Sequence, residues 1–257
     1  MTRCVESILK QTLKETEVIL VDDGATDEIP KLADELQDID RRIGVLHTKN
    51  GGPARARNMG MDIAKGEYIG FVDADVYIEP NMYESMYTCA QRTDAQIVMC
   101  GFDRVQNGVV LNQMRIEHEK DVLVGARQIE EQIIGKYYST NVGTYASLCN
   151  KLYSAECLKS LHMRIDETLV RAEDYWFNFQ LYKQVNYIAN VDIIGYHHMQ
   201  DNDDSIMHGW RPEFFSQTTQ SRRRLFAEKP KGIVIDPCEF ASSYLYEVSV
   251  YMKDMVK

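Results

Sequence analysis

The chain lacks several features by which other classes of protein are recognised. None of its six cysteines lies in a C-x-x-C pair, no apolar run is long enough to cross a bilayer, and the first residues do not read as a signal peptide. Basic residues are outnumbered by acidic ones, 29 to 39, so the formal charge is −10. We therefore expect no nucleic-acid partner, because that function normally needs a basic face. Unpaired cysteines favour reduced thiols and a cytoplasmic location.

What the chain does contain is an alternation of helix and strand patterns over its first hundred residues. Short apolar runs at 17–22, 43–46, 68–72 and 95–100 predict strands, and the segments between them carry apolar residues at helical spacing. Continuously apolar runs are typical of parallel strands covered by helices on both faces. The sequence therefore predicts an α/β fold with a doubly wound, mostly parallel central sheet.

Acidic residues follow two of these predicted strands. Asp22 and Asp23 follow the first, and Asp73 and Asp75 follow the run at 68–72. If the backbone stays extended, Asp73 and Asp75 face one cation, because a strand places alternate side chains on the same face. Carboxylates suit Mg²⁺ or Mn²⁺, which would hold nucleotide phosphates. The alternative interpretation is that both pairs only cap solvated turns.

Several motifs occur in the order and spacing of family 2 glycosyltransferases. In the first half they are Gln11-Thr12, Val-Asp-Asp-Gly-Ala-Thr-Asp at 21–27, Asn50-Gly51-Gly52, Ala-Arg-Asn-Met-Gly at 56–60, and Gly-Glu-Tyr-Ile-Gly-Phe-Val-Asp-Ala-Asp at 66–75. Later segments at 149–153 and 172–178 are similar to the W-N-K-L-Y and E-D-x-x-F-N segments of that family. The chain thus resembles a family 2 glycosyltransferase to about Ile206, and the resemblance implies a GT-A fold.

The resemblance also implies a donor, a cation and site residues. The donor is a nucleotide-sugar, usually a UDP-sugar, and Mn²⁺ or Mg²⁺ binds at the D-x-D motif. Asp75 is expected to bind the metal, Asp73 to support the ribose or the metal through water, and His208 to contact metal or diphosphate. The donor-binding set is Asp22, Asp23, Gly52, Arg57 and Asp73. Asp174 is expected to be the general base of an inverting transfer, with Glu173 beside it as a second catalytic residue.

The same resemblance suggests how the chain is divided. We expect residues 1–105 to form the nucleotide-sugar-binding half, and residues 106–257 the acceptor-binding half of the same domain plus carboxyl-terminal helices. The acceptor is expected to be a glycan or a lipid-linked glycan of surface polysaccharide biosynthesis. A basic run, Arg222-Arg223-Arg224, has two interpretations: a solvated helix face, or peripheral membrane contact at the inner face of the membrane.

Three departures from the family pattern bear on activity. Val76 stands where another acid is usual, and Cys149 replaces the tryptophan of the W-N-K-L-Y segment. The family's first apolar strand, of the type V-S-V-I-V-P-x-Y-N, has no counterpart, so we expect a donor half without it and a strand edge left unpaired. The alternative function is therefore a catalytically impaired, nucleotide-sugar-binding remnant. A haloacid-dehalogenase-type phosphatase fits poorly, since its acidic pair lies on the first strand.

Overall fold

A computed structural model of the chain describes residues 1–116, 121–139, 142–169, 171–200 and 212–238. Helices and strands alternate in the first half, as α1 (Thr2–Leu9), β1 (Val18–Asp22), α2 (Ile29–Ile39), β2 (Ile43–His47), α3 (Pro53–Ile63), β3 (Tyr68–Gly70), β4 (Tyr77–Ile78), α4 (Met82–Thr93) and β5 (Ile97–Gln106). The second half contains β6 (Val109–Met114), β7 (Val122–Val124), α5 (Ala126–Gln132), a 3₁₀ helix (Ile134–Tyr138), α6 (Gly143–Ala146), β8 (Lys151–Ser154), α7 (Ala155–Ser160), α8 (Glu173–Tyr182), β9 (Tyr187–Met199) and α9 (Pro212–Ala227).

The strands of the described residues form two sheets. β1 and β2 pair in parallel, and a larger sheet has the order β3-β8-β5-β9-β4, with β6 paired to β5 and β7 to β9. Within the larger sheet β5 and β9 are parallel, whereas the other pairs are antiparallel. The pairing is therefore mixed, because late segments of the chain return to lie between and beside the early strands.

The predicted strands and helices of the first half are confirmed to within a few residues. A hairpin follows, since β6 folds back on β5 through Asn107 and Gly108. Both turn residues have positive φ, at 49° and 76°, which matches the twist of a tight hairpin. In the second half, α5 ends at Gln132 and the chain then tightens into the 3₁₀ helix.

The core lies around β5, whose residues Ile97 to Phe102 are buried between α4 and the helices of the second half. A separate, smaller cluster lies under the two-stranded sheet and contains Val5, Val18, Leu36 and Ile43. All six cysteines are free thiols, as expected. No helix among the described residues has the length and apolar character to span a bilayer.

The two sheets are separated at the edges of β1 and β3. In the part of the chain that the structure describes, β1 pairs only with β2, and β3 pairs only with β8. A cavity of about 600 Å³ lies between them, lined by β1, by α1 residues such as Ile8, and by Tyr68 and Tyr83. Each of these two strands thus has a free edge that faces mainly apolar side chains.

Candidate active site

Arg57 on α3 joins two acidic motifs that lie far apart in the sequence, the one at Asp73 and the one at Glu173. Its Nη2 donates to Asp73 Oδ1 at 2.9 Å, and its Nη1 donates to Glu173 Oε1 at 2.8 Å. The Arg57 side chain is only 22% exposed, so these ion pairs are partly shielded from water. The end of β3 and the start of α8 therefore meet at one guanidinium group.

Asp73 is held by the protein at both carboxylate oxygens. Besides the contact from Arg57 to Oδ1, the Tyr196 hydroxyl and the Cys149 thiol each donate to Oδ2 at 3.3 Å. The backbone N–H of Asp73 donates to the Tyr196 oxygen, and the Cys4 thiol donates to the backbone carbonyl of Asp73. This carboxylate is consequently fixed by side chains from several separate elements.

The charges around Asp73 favour its ionised form. Burial by itself would raise the pKa of Asp73, but the Arg57 charge and hydrogen bonds from Arg57 and Cys149 outweigh it, and the pKa is lowered. Burial raises the pKa values of Cys149 and Tyr196 well above their usual range. Both groups therefore keep their protons at neutral pH and remain donors to the carboxylate.

Asp75 differs from Asp73 in its surroundings. β3 ends at Gly70, and residues 74 and 75 form a turn closed by the Val76 N–H donating to the Asp73 carbonyl at 3.4 Å. The backbone is therefore not extended at this point, and the condition for placing the two acids on one face is not met. Asp75 is half-buried and makes no hydrogen bond to another described residue, while Val76 is fully buried in the core.

The metal site predicted from the sequence is only partly visible. Among the residues that the structure describes, no three His, Cys, Asp or Glu side chains cluster as metal ligands. His208 lies outside the described residues. Asp73 is engaged by protein donors, so the carboxylate oxygens of Asp75 are those left uncommitted to described protein groups.

Asp23 shapes the entry to α3. Its two carboxylate oxygens accept the N–H groups of Gly51 and Gly52 at 2.8 and 2.7 Å. Gly52 is the residue before the first turn of α3 and has φ of 88° and ψ of 166°, a conformation essentially restricted to glycine. Asp23 and the Gly51-Gly52 pair are thus brought together, and each Asp23 oxygen retains a second lone pair.

Asp22 has mainly structural partners in this structure. Its buried carboxylate accepts the Ala25 N–H at 2.9 Å and lies 2.9 Å from His47 Nδ1. The hydrogen bond from His47, followed by that from Ala25, lowers the pKa of Asp22. These contacts match the turn-capping alternative, and a role of Asp22 in donor binding stays a prediction.

The acids of the second half lie in the first turn of α8, after Ala172 in a left-handed conformation with φ of 64°. Asp174 Oδ1 accepts the Tyr175 N–H at 2.7 Å. Burial, and then the charge of neighbouring Glu173, raises the pKa of Asp174 to about 7. Such a carboxylate is a stronger base than an exposed one and is partly ionised near neutral pH.

Lys151 forms internal hydrogen bonds with the segment that precedes β8. Its ammonium group is fully buried and donates to the Thr144 and Ser147 carbonyls and to Asn150 Oδ1. Burial lowers the pKa of Lys151 to about 7, and the Asp174 charge opposes that effect. The segment from α6 to Cys149 is therefore fixed by hydrogen bonds from the Lys151 side chain. The same segment contacts Asp73 through the Cys149 thiol.

Sequence reasoning did not find Tyr196 as a site residue, nor the contact from Cys149 to Asp73. Tyr196 stands in an apolar strand, and only the position of β9 in the sheet brings it to Asp73. The basic run is partly engaged as well, since Arg224 pairs with Asp166 at 2.9 Å and lies over the Trp176 ring.

Similarity to known proteins places the chain in a family. A family model described as "Glycosyl transferase family 2" matches residues 1–161. The chain therefore belongs to glycosyl transferase family 2. It is 32% identical over 189 residues to the uncharacterized glycosyltransferase EpsJ of Bacillus subtilis. The aligned region covers 74% of this chain and 54% of EpsJ. It is 48% identical over 100 residues to the glycosyltransferase GlyG of Streptococcus pneumoniae, covering 38% of this chain and 33% of GlyG.

Solved structures confirm the predicted GT-A fold. TarS residues 1–349 of S. aureus, in complex with UDP-GlcNAc, superpose with a TM-score of 0.71 at 20% identity, over 98% of this chain and 68% of that one. The mannosyltransferase PcManGT of Pyrobaculum calidifontis, in complex with GDP-Man and Mn²⁺, gives 0.58 at 14% identity, over 97% and 65%. The chain spans about half or less of the length of the curated relatives EpsJ and GlyG.

Proposed function

We propose that the chain is an inverting glycosyltransferase that moves a sugar from a UDP-sugar to a hydroxyl group of a glycan or lipid-linked acceptor. The observation that carries this proposal is the bridge made by Arg57. It connects Asp73, on the expected donor side, with Glu173, which precedes the proposed base Asp174. The groups proposed to bind the donor and to accept the proton are thus linked through one side chain, and this supports a direct displacement.

Asp174 is proposed to accept the proton of the attacking hydroxyl. Its position in the first turn of α8 gives it a rigid mount, and its raised pKa increases its basicity while leaving it partly ionised at neutral pH. Direct attack on the face opposite the departing nucleotide inverts the anomeric centre. Proton acceptance by a positioned base typically contributes about 10²–10⁴-fold to the rate.

Asp75 is proposed to hold Mn²⁺ or Mg²⁺ together with the donor diphosphate. The residues present fit such an ion, because Mg²⁺-type sites commonly use one or two carboxylates and complete their coordination with substrate phosphates and water. The bound cation would stabilise negative charge on the departing diphosphate. Asp73, whose oxygens already accept protein donors, is proposed to contact the donor rather than the ion.

The comparisons support the choice of donor. TarS is described in complex with UDP and with UDP-GlcNAc, and PcManGT with GDP-Man and Mn²⁺. At these identities the likeness extends to the fold, so a UDP-sugar and a divalent cation are proposals for this chain. The acceptor, the metal ligand His208 and contact with an anionic membrane stay predictions.

The test combines binding and turnover. Calorimetric titration of UDP with and without Mn²⁺ is expected to show binding that the ion strengthens. Asp174→Asn is expected to bind UDP like the wild type but to release UDP from UDP-GlcNAc and other UDP-sugars about 10²–10⁴-fold more slowly. Asp192→Asn is a matched control, because Asp192 is exposed and pairs with Arg115.

The outcomes separate this proposal from its alternative. Full turnover in Asp174→Asn would remove Asp174 as the base. If the wild type binds UDP but turns over none of the UDP-sugars, the result would favour the catalytically impaired remnant. The open cavity beside β1 supports that alternative. Absence of UDP binding would overturn both.

A further inference from the structure

Two residues outside the predicted donor-binding, metal-binding and catalytic sets make direct contact with Asp73. Tyr196 belongs to β9, and Cys149 lies just before β8, so they approach the carboxylate from separate parts of the sheet. The Tyr196 oxygen and the Cys149 sulfur are each 3.3 Å from Asp73 Oδ2. Both side chains are buried, with 3% and 4% exposure, so water does not compete for their protons.

These contacts act against the pull of Arg57 on the other oxygen. Arg57 holds Oδ1 at 2.9 Å, and the donors on Oδ2 prevent the carboxylate from turning about its χ2 angle to give Arg57 both oxygens. Tyr196 also accepts the Asp73 N–H at 3.3 Å, so one hydroxyl group fixes the backbone and the side chain together. The plane of the Asp73 carboxylate is therefore set by three side-chain donors, and not by the backbone turn in which Asp73 lies.

We propose that Tyr196 and Cys149 are positioning residues that orient the Asp73 carboxylate for the nucleotide donor. The inference rests on the proposed function, because it assigns Asp73 to donor binding. It predicts that removing either proton lowers donor affinity without removing a group that touches the reacting atoms. Ground state and transition state lose the same contact, so KM should rise while kcat changes little.

The contrasting interpretation is that both residues only fill the core. Tyr138→Phe provides the matched control, since the buried Tyr138 hydroxyl donates to the Leu225 carbonyl far along the chain from Asp73. A purely structural hydroxyl would lower stability in both tyrosine variants and leave nucleotide affinity unchanged in both. Cys149→Ser retains a donor, whereas Cys149→Ala removes it.

The experiment measures UDP affinity, the KM and kcat for UDP-sugar turnover, and urea unfolding. Tyr196→Phe is expected to weaken UDP binding about fivefold, the effect of one ordinary hydrogen bond. Cys149→Ala is expected to weaken it about threefold, because a thiol is a poorer donor. Cys149→Ser and Tyr138→Phe should stay within about twofold of the wild type.

A double-mutant cycle supplies a measurement that does not depend on activity. Tyr196→Phe should lower the folding equilibrium constant about fivefold more in the wild type than in an Asp73→Ala background. Unchanged UDP affinity in Tyr196→Phe and Cys149→Ala, or additive effects in the cycle, would overturn the inference. If the wild type binds no UDP, the proposed function fails, whereas binding with unaffected variants removes only the role of Tyr196 and Cys149.

Discussion

At the scale of single residues, adjacent carboxylates in α8 have different partners. Glu173 accepts a hydrogen bond from Arg57 and is thereby paired with a cation. Asp174 accepts only the N–H of Tyr175 among the contacts of the described residues, and the charge that shifts its pKa most is the like charge of Glu173. Burial adds to that repulsion, so a proton is bound more readily at Asp174 than at an exposed aspartate.

This asymmetry predicts the pH dependence of transfer. A general base must be deprotonated, and because the pKa of Asp174 is raised to about 7, kcat/KM should increase with pH through that region. Glu173→Gln removes the charge that helps raise the pKa of Asp174, so its acidic limb should move to lower pH. The pH profile of UDP release checks both statements, with Asp192→Asn as the control. A limb near pH 4 in the wild type, or one unmoved by Glu173→Gln, would contradict the assignment.

Residues in the named motifs could be predicted from the sequence, whereas their supports could not. Asp23, Gly52, Arg57 and Asp174 stand at positions that the family resemblance marks. Tyr196 gives no such signal, since an aromatic residue in a strand is ordinarily a core residue. Its contact with Asp73 depends on which strand lies beside β5, and that follows from the packing of the whole sheet.

At the scale of elements, the start of α3 depends on one backbone conformation. Gly52 combines positive φ with extended ψ, and its N–H and that of Gly51 point at Asp23. A Cβ at this position would meet no atom within 4 Å, so crowding is not the constraint. The cost of a side chain lies in the dihedral angles alone, and helix α3 carries Arg57 one turn further on.

Gly52→Ala should therefore destabilise the protein by about 1–3 kcal/mol, the usual cost of a backbone region reserved for glycine. Because relaxation would move the two N–H groups away from Asp23, UDP binding should weaken as well. Gly44→Ala on β2 is the control, since its Cβ also has open space and its φ is not positive; its effect should be within about 0.5 kcal/mol. Equal urea midpoints for the two variants would show that the Gly52 conformation is not required.

The strands themselves could be predicted, but their pairing could not. Continuous apolar runs identified β1, β2, β3 and the start of β5 correctly. β8 has only four residues and thus too little pattern to reveal that it enters the sheet between β3 and β5 in the antiparallel sense. Hydrogen bonding between neighbours in a sheet is a long-range property, and short strands carry almost no local signal for it.

At the scale of the whole molecule, a cavity in the first half of the chain lies between two strand edges that no other described strand pairs with. Within the described ranges, β1 and β3 each present an edge without a strand partner there, and Ile8, Tyr68 and Tyr83 give the cavity an apolar lining. Backbone groups at an open edge can pair with an added strand. Burial of apolar side chains in the cavity would stabilise the bound segment. An extended apolar segment of about five residues matches the length of β1.

We predict that such a segment will bind in this cavity and join the two sheets. A Val- and Ile-rich segment of five residues, linked to Met1 through a short Gly-Ser linker, is suitable because Met1 itself lines the cavity. Pairing with both edges and burial of its side chains should raise the Tm by about 5 °C or more, since each kcal/mol shifts a chain of this size by about 2–4 °C. UDP affinity should rise in parallel, because β1 and β3 lead to Asp23 and Asp73. A Ser- and Gly-only segment of equal length is the control, and identical Tm values for the two fusions would show that the cavity does not accept a strand.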